Sequence, residues 1–171
     1  EAALMADARD VWRYAVDELK YAPEDIVLFG ESLGGGVATG LAYDLCQQGT
    51  APAGLILRAT FSSLVAAAGY HYPFLPVSWV LVDRFPSLER IPAITCPILV
   101  LHGDRDSIIP IEQGDALYAA APEKSANGIP KQFVRLTGAG HNDILYVAAE
   151  PVRTALERFF GRLPLPSAGH Q

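Results

Sequence analysis

Cysteine is scarce in this sequence. The two cysteines, Cys46 and Cys96, lie far apart along the chain and in no spacing that is typical of a metal site. This usage is compatible with a thiol-reducing compartment, and the cytoplasm is favoured on that ground. The sequence carries no other signal of location.

Basic residues are also few, with 13 Lys and Arg against 19 Asp and Glu, and the formal net charge is −6. The basic residues are scattered, whereas a nucleic-acid surface needs clustered basic side chains to displace counterions from phosphate. We therefore expect no nucleic-acid partner.

Long apolar runs are absent as well. No run reaches the roughly 18 residues that a membrane-spanning helix needs, and no basic and apolar leader opens the chain. Membrane association thus has no support in the sequence and stays an open question. The chain starts at Glu1 rather than at a methionine, which leaves room for a leader that has been removed.

What the sequence does contain is an alternation of apolar segments, with half of the 171 residues apolar. Apolar residues at three- and four-residue steps from Leu4 to Leu19 predict a helix that ends near Tyr21-Ala22-Pro23. The other predicted elements are strands at 26–29, 54–57, 97–101 and 131–136 and helices at 32–48, 111–121 and 144–160. This order predicts an α/β fold, a mostly parallel sheet flanked by helices. We expect one domain over 1–162 and a short frayed tail at 163–171.

A long segment at about 61–94 separates the second and third predicted strands and is dense in aromatic residues and proline. Loops of this length are usually functional or carry helices of their own. Two interpretations stay open: a connecting helix with a proline-rich lead-in that covers the sheet, and an apolar cap beside a pocket. The aromatic and aliphatic run from Phe74 to Val82 favours an apolar acyl group in the substrate.

A serine between glycines follows the first predicted strand. Gly30-Glu31-Ser32-Leu33-Gly34 matches the pattern G-x-S-x-G, with a strand before it and a helix after it. In such an elbow we expect the glycines two residues before and after the serine to be needed to avoid clashes with the neighbouring strand and helix. The hydroxyl then lies at the amino end of a helix, whose free N–H groups favour a developing negative charge. Ser32 is the candidate nucleophile, and the alternative is an incidental helix-capping serine.

Two carboxylates follow the third predicted strand, in His102-Gly103-Asp104-Arg105-Asp106. A serine nucleophile needs a base, and the base needs a carboxylate to fix its tautomer. These carboxylates lie at the same carboxyl edge of the sheet as the serine, where open α/β sheets place their sites. We choose Asp106 as the candidate acid, because Asp104 lies in the tight turn and can be occupied by the backbone or by Arg105. Asp104 remains the alternative.

One of the four histidines fits the role of the base. His141 follows the fourth predicted strand, in a loop whose glycines let it fold back toward the serine, and it completes the order Ser, Asp, His on successive strand ends. The other three are His71 in the aromatic segment, His102 at a strand end and His170 in the tail.

Three motifs together resemble the α/β-hydrolase superfamily of serine hydrolases: GESLGG around Ser32, HGDRDSIIP around Asp106 and GAGHND around His141. The resemblance extends to about Phe160. RATFSSL and the aromatic stretch after it are similar to a branch that includes membrane-associated lipid hydrolases and protein depalmitoylases, often called serine aminopeptidase-like. The resemblance implies that Ser32 is the nucleophile, Asp106 the orienting acid and His141 the general base. It also implies that the backbone N–H of Leu33 is one oxyanion-hole donor.

The same resemblance implies a part of the fold that this sequence does not contain. Superfamily members have further strands before the helix that opens this chain, and a glycine-containing loop after one of them usually supplies the second oxyanion donor. His102-Gly103 is not that loop, because it belongs to the acid-bearing turn. We expect the chain to be the carboxyl-terminal part of a hydrolase, with half of its oxyanion hole.

The leading hypothesis is a serine hydrolase that cleaves a small-molecule carboxylic ester or thioester through an acyl-enzyme on Ser32. This chemistry requires no metal and no organic cofactor. Two alternatives stay open: a catalytically incomplete fragment or scaffold, and an acyltransferase that uses the same three residues. The sequence identifies neither the substrate-binding residues nor the oligomeric state.

Overall fold

Four parallel strands form the sheet at the centre of the fold. They are β1 (Val27–Glu31), β2 (Gly54–Arg58), β3 (Ile98–Gly103) and β4 (Gln132–Leu136). They lie side by side in chain order, and every pairing between neighbours is parallel. The computed structural model of the chain describes residues 1–72, 74 and 83–164. Because all four strands run the same way, the loops that follow them meet at one edge of the sheet.

Helices connect and flank these strands. They are α1 (Ala2–Arg13), α2 (Leu33–Gln47), α3 (Leu64–His71), α4 (Ser87–Arg90), α5 (Ile111–Ala120), α6 (Ile144–Val147) and α7 (Ala149–Phe160). A π-helical turn, Tyr14–Glu18, extends α1, and short 3-10 turns lie at Pro23–Asp25 and Ile91–Ala93. The predicted α/β fold with helices on a parallel sheet is confirmed.

Each face of the sheet has its own apolar core. Successive side chains of a strand point to opposite faces, so Leu55 and Leu57 join one cluster and Ile56 joins the other. The first cluster packs under α2 and α5 and includes Ala38, Ala42, Ile98, Val100 and Leu117. The second packs under α6 and α7 and includes Leu99, Leu101, Leu136, Ile144, Val152 and Phe159. All six residues of β3 are buried, which explains why this strand reads as an uninterrupted apolar run.

The predicted helix 144–160 is wrong in one respect, because the structure divides it into α6 and α7. The break falls at Ala148, whose φ of −128° and ψ of 33° are not helical. Pro151 explains the break: it has no N–H to donate, and its ring would clash with the carbonyl oxygen of Val147 in a continuous helix.

The first helix packs on α2 through a narrower stripe than its sequence pattern indicates. Met5 is buried against Leu41 and Leu45, and Ala8 and Trp12 pack partly beside it. Val11, which shares the apolar pattern, is 68% exposed. It lies one residue, about 100° of rotation, from Trp12 and so falls outside the contact stripe.

The long segment between β2 and β3 is described at both ends. Ser63 caps α3 by accepting a hydrogen bond from the N–H of Ala66 at 3.1 Å. Phe61 and Phe85 are buried in edge-to-face contact, with ring centroids 6.4 Å apart. The apolar run from Phe74 to Val82 lies outside the described residues except for Phe74, as does the tail beyond residue 164. The cap interpretation and the domain boundaries therefore stay predictions.

No described helix combines the length and the apolar character that crossing a membrane requires.

Candidate active site

Ser32 occupies a sharp turn between β1 and α2. Its φ of 50° and ψ of −121° fall in a region that residues other than glycine rarely adopt. Two contacts hold the turn: the N–H of Ser32 donates to the carbonyl oxygen of Arg58 at 3.0 Å, and the Thr60 hydroxyl donates to the carbonyl oxygen of Ser32 at 2.7 Å. The serine is thus fixed on both sides by the neighbouring strand β2 and the residues after it.

Glycines around this turn allow the strand and helix to approach closely, but only one of the two glycines that the motif indicates is in a crowded position. A Cβ on Gly30 would lie 2.6 Å from Gly34 O, as expected. The same expectation is wrong for Gly34, where a Cβ would meet no atom of the described residues within 4 Å. Gly35 is the crowded position, because a Cβ there would lie 2.2 Å from the Thr60 hydroxyl oxygen.

The structure brings Ser32, His141 and Asp106 together. The Nε2 atom of His141 lies 3.1 Å from Ser32 Oγ, and its Nδ1 atom lies 2.7 Å from Asp106 Oδ2. Because a carboxylate can only accept, Nδ1 carries the hydrogen and Nε2 presents its lone pair to the serine hydroxyl. Three residues that are distant in sequence therefore form one continuous chain of hydrogen bonds.

Asp106 is the most buried of these three hydrogen-bonded residues, and its side chain has no exposed surface. Its Oδ1 atom accepts hydrogen bonds from the N–H groups of Ile108 at 2.9 Å and Ile109 at 2.7 Å. Burial raises the pKa of Asp106, but the hydrogen bonds from His102, Ile109, His141 and Ile108 outweigh it and hold this pKa below the ordinary value. The carboxylate is therefore ionised at neutral pH.

Asp104, the other candidate acid, is bonded elsewhere. Its Oδ1 atom accepts a hydrogen bond from the N–H of Gly138 at 2.8 Å. The N–H of Arg105 donates to Ala139 O at 3.0 Å, and a Cβ on Gly103 would lie 2.3 Å from the same oxygen. These contacts tie the loop after β3 to the loop after β4, so Asp104 joins the two loops and does not face His141.

The loop that carries His141 folds back through Gly138, whose φ is 79°. A residue with a side chain is strained in this conformation, so glycine is required here. Beyond it, the N–H of Gly140 donates to Asp143 Oδ1 at 2.6 Å. The bend directs the loop toward Ser32, as the glycines of this motif indicate.

Leu33 is the first residue of α2, and its N–H has no acceptor within the helix. This N–H follows Ser32 directly. It has no acceptor in the part of the chain that the structure describes, and it lies where an oxyanion-hole donor would be needed.

Sequence reasoning missed two contributors, Thr60 and His102. No sequence pattern indicates Thr60, because its contact with Ser32 depends on the register in which β2 pairs with β1. His102 is fully buried, its Nε2 atom donates to Ile109 O at 2.8 Å, and the same atom lies 3.5 Å from Asp106 Oδ2. Its position four residues before the candidate acid could have indicated this contact.

No contact with Ser32 is found for His71, the remaining histidine that the structure describes. His71 is exposed, with Nε2 2.7 Å from Ile108 O, and His170 is outside the described residues. Among the residues that the structure describes, no three His, Cys, Asp or Glu side chains cluster in a way that could hold a metal ion.

Comparison with known proteins shows the family of this chain. A family model described as an alpha/beta hydrolase domain matches residues 3–125. The chain belongs to the alpha/beta hydrolase family. An uncharacterised protein of Mycobacterium tuberculosis strain H37Rv is 39% identical over 159 residues, which is 93% of this chain and 53% of that protein. The lysophosphatidylserine lipase ABHD12 of Danio rerio is 35% identical over 148 residues, 78% of this chain and 38% of that protein.

Solved structures of alpha/beta hydrolases resemble this chain in fold. An alpha-beta hydrolase from Vibrio vulnificus is 26% identical to this chain and superposes on it with a TM-score of 0.65. The superposition covers 88% of this chain and 55% of the Vibrio vulnificus chain. The esterase PF2001 of Pyrococcus furiosus is 17% identical and superposes with a TM-score of 0.68. That superposition covers 93% of this chain and 61% of the esterase. This chain therefore spans about half of the length of the relatives that it matches.

Proposed function

We propose that this alpha/beta hydrolase is a serine hydrolase that cleaves carboxylic esters or thioesters through an acyl-enzyme on Ser32. The observation that carries the proposal is the continuous chain from Ser32 Oγ to His141 at 3.1 Å and from His141 to Asp106 at 2.7 Å. These distances are those of a nucleophile, its base and the group that orients the base.

In the first half of the reaction, Ser32 Oγ attacks the carbonyl carbon of the ester while its proton passes to Nε2 of His141. The ionised carboxylate of Asp106 keeps the hydrogen on Nδ1 and stabilises the imidazolium that forms. The lowered pKa of Asp106 suits this role, because the carboxylate keeps its charge and the proton stays on the histidine. The tetrahedral intermediate then expels the alcohol or thiol, which takes its proton from His141.

In the second half, water replaces the alcohol. His141 removes a proton from the water as the water attacks the acyl carbon. It then returns this proton to Ser32 Oγ as the bond between Oγ and the acyl carbon breaks and the acid product leaves. The oxyanion of each tetrahedral intermediate would accept a hydrogen bond from the N–H of Leu33, at the amino end of the fifteen-residue helix α2.

The proposed substrate class is an ester with an apolar acyl group. Two observations support it: the aromatic and aliphatic run from Phe74 to Val82 in the sequence, and the name of the ABHD12 relatives, which are lysophosphatidylserine lipases. Within this class, long-chain esters are expected to be cleaved with a higher kcat/KM than acetyl esters, because the longer chain buries more apolar surface.

The test of the nucleophile combines a fluorophosphonate probe with hydrolysis of a p-nitrophenyl ester in the intact protein. Ser32→Ala is expected to lose the probe adduct and to lower kcat by at least about 10⁴-fold, because no other group supplies the attacking oxygen. Intact-protein mass and initial rates are the measurements.

Ser107→Ala is the matched control, since Ser107 is an exposed serine directly after Asp106. It should keep both the adduct and the rate. A folded Ser32→Ala protein that still turns over the ester contradicts the proposal, and an adduct on Ser32 without turnover indicates the scaffold alternative. Ester formation in the presence of a competing alcohol, at the expense of the free acid, indicates the acyltransferase.

A further inference from the structure

The two cysteines, distant in sequence, meet at the end of the sheet opposite to Ser32. Cys46 lies in the last turn of α2, and Cys96 lies two residues before β3 begins. The N–H of Thr95, the residue directly before Cys96, donates to Cys46 Sγ at 3.4 Å, and Cys46 packs against the apolar cluster that contains Cys96. Both cysteines are free thiols in this structure.

The two thiols differ in their surroundings. Cys96 is 4% exposed and belongs to the apolar core cluster beneath α2 and α5, whereas Cys46 packs on the flank of that cluster and is only half-buried. A cavity of about 190 Å³ at the amino ends of the strands is lined by Cys96 together with Ala53 and Pro97. Cys46 does not line this cavity but has partly exposed surface of its own. A molecule the size of hydrogen peroxide can therefore reach Cys46 directly from solvent.

We propose that Cys46 and Cys96 form an oxidisable thiol pair, which a peroxide converts to an intramolecular disulfide. The Cys96 thiol donates its hydrogen bond to Cys46 and lowers the pKa of Cys46 to about 5, aided by Thr95 and opposed by burial. The same contact and burial raise the pKa of Cys96. The pair thus presents one thiolate, on the accessible residue, and one protonated thiol behind it.

The reaction balances in two steps. The Cys46 thiolate attacks one oxygen of the peroxide, so that an S–O bond forms, the O–O bond breaks and hydroxide leaves with the proton lost by Cys46, as water. The Cys96 sulfur then attacks the sulfenic sulfur of Cys46, so that the S–S bond forms and the S–O bond breaks, and a second water carries away the Cys96 proton. Sulfur gives up two electrons and the peroxide takes them up. A dithiol reductant reverses the change.

The disulfide would join the two elements that lead to the active site. α2 begins directly after Ser32 and carries Cys46 in its last turn, and β3 begins two residues after Cys96 and leads to the loop of Asp106. A cross-link across about 50 residues removes much of the freedom of the unfolded chain. We expect oxidation to raise the Tm by roughly 5–10 °C.

The test treats the reduced, intact protein with hydrogen peroxide and digests it with trypsin without reduction. Cleavage after Lys20, Arg58, Arg90 and Arg105 releases Cys46 in the peptide 21–58 and Cys96 in the peptide 91–105. The expected result is a single cross-linked species of these two peptides, about 2 Da lighter than their sum. It should come from monomeric protein and separate on treatment with dithiothreitol.

Cys96→Ser is the matched variant, because it leaves the accessible thiol without a resolving partner. It should trap a sulfenic acid on Cys46 that reacts with dimedone, and the Tm should no longer rise on oxidation. The proposal is overturned if wild-type Cys46 proceeds to sulfinic acid while Cys96 stays a free thiol, or if the cysteines cross-link only between molecules. An unchanged peptide map at a peroxide level that oxidises Met5 overturns it as well, and this readout does not depend on how the variant folds.

Discussion

Ser32 holds a backbone conformation that typically costs about 1–3 kcal/mol in a residue with a side chain. Three hydrogen bonds offset this cost. The N–H of Ser32 donates to the carbonyl oxygen of Arg58, and the carbonyl oxygen of Ser32 accepts from the Thr60 hydroxyl and from the N–H of Gly35. All of these contacts involve the backbone of Ser32. The side-chain oxygen therefore remains available to His141, which is the arrangement that a nucleophile requires.

Asp106 and Asp104 make different contacts, and substitution can separate their roles. Asp106→Asn should lower kcat by about 10⁴-fold, because an amide can present its N–H₂ to His141 Nδ1 and favour the wrong tautomer. Asp104→Asn keeps an oxygen that can accept from Gly138, so its effect should stay below about tenfold. Steady-state kinetics on one ester provides both values.

The ranking of these two variants is the decisive outcome. A larger loss from Asp104→Asn would reassign the acid. Similar losses from both, with a lowered Tm in each, would indicate that the two loops act as one unit and that neither carboxylate has a distinct role.

At the scale of elements, α2 is positioned by its glycines. Gly35 faces Thr60, and a Cβ on Gly36 would lie 3.0 Å from Phe85 Cβ. Glycine weakens a helix by about 1 kcal/mol relative to alanine. Close packing therefore explains Gly35 and Gly36, whereas no contact among the described residues requires glycine at position 34.

Gly35→Ala and Gly34→Ala form a matched pair in this turn. Gly35→Ala should lower the free energy of unfolding by about 1–3 kcal/mol, because the new Cβ overlaps Thr60. Gly34→Ala should leave it unchanged or raise it by up to about 1 kcal/mol, since alanine is the better helix former. Chemical denaturation measures both changes.

Probe labelling of Ser32 is the second readout for this pair. Gly35→Ala should slow labelling, because Thr60 must move and releases the serine carbonyl oxygen. Equal stability and equal labelling of the two variants would contradict the crowding at Gly35.

Much of this element structure could be predicted from the sequence. The two central strands, β2 and β3, contain apolar runs bounded by turn residues, and burial on both faces produces that pattern directly. The glycine-rich turns around Ser32 and His141, each at the end of a strand, likewise indicate that these two loops lie close together. The periodicity of apolar residues does not predict the break at Ala148, because it continues across that residue. Only Pro151 shows that the hydrogen bonds of the helix cannot continue there.

Other features depend on contacts between distant segments and leave no local pattern. Thr60 reaches Ser32 only because β2 lies beside β1 in one particular register. Cys46 meets Cys96 only because the end of α2 packs over the entrance to β3. No spacing along the chain encodes either contact.

At the scale of the whole molecule, the hydrogen bonds to Asp106 couple global stability to pH. Its folded-state pKa lies below the ordinary value of about 3.9 for an aspartic acid. The ionised carboxylate therefore stabilises the folded state above this value, and the contribution is lost as the pH falls through the folded-state pKa.

Thermal unfolding between pH 7 and pH 2 tests this coupling. The wild-type Tm should exceed that of Asp106→Asn at pH 7, and the difference should shrink below pH 4 because the protonated carboxyl loses its charge-assisted hydrogen bonds. Titration of the other carboxylates changes the Tm of both proteins equally, so it cancels in the difference between the two Tm values. A difference that stays constant over this range would show that Asp106 is not coupled to folding through its charge.

The order of the three site residues along the chain has a consequence for biosynthesis. Ser32 and His141 are 109 positions apart, and His141 follows the last strand of the sheet. During translation Ser32 is made before β2, β3 and β4, and His141 is added only after β4. Until then the hydroxyl has no base to accept its proton and stays unreactive. Under the proposed mechanism, Ser32 can therefore react only after β4 and the loop that follows it have been made, so a nascent chain that ends before His141 cannot acylate itself on the ribosome.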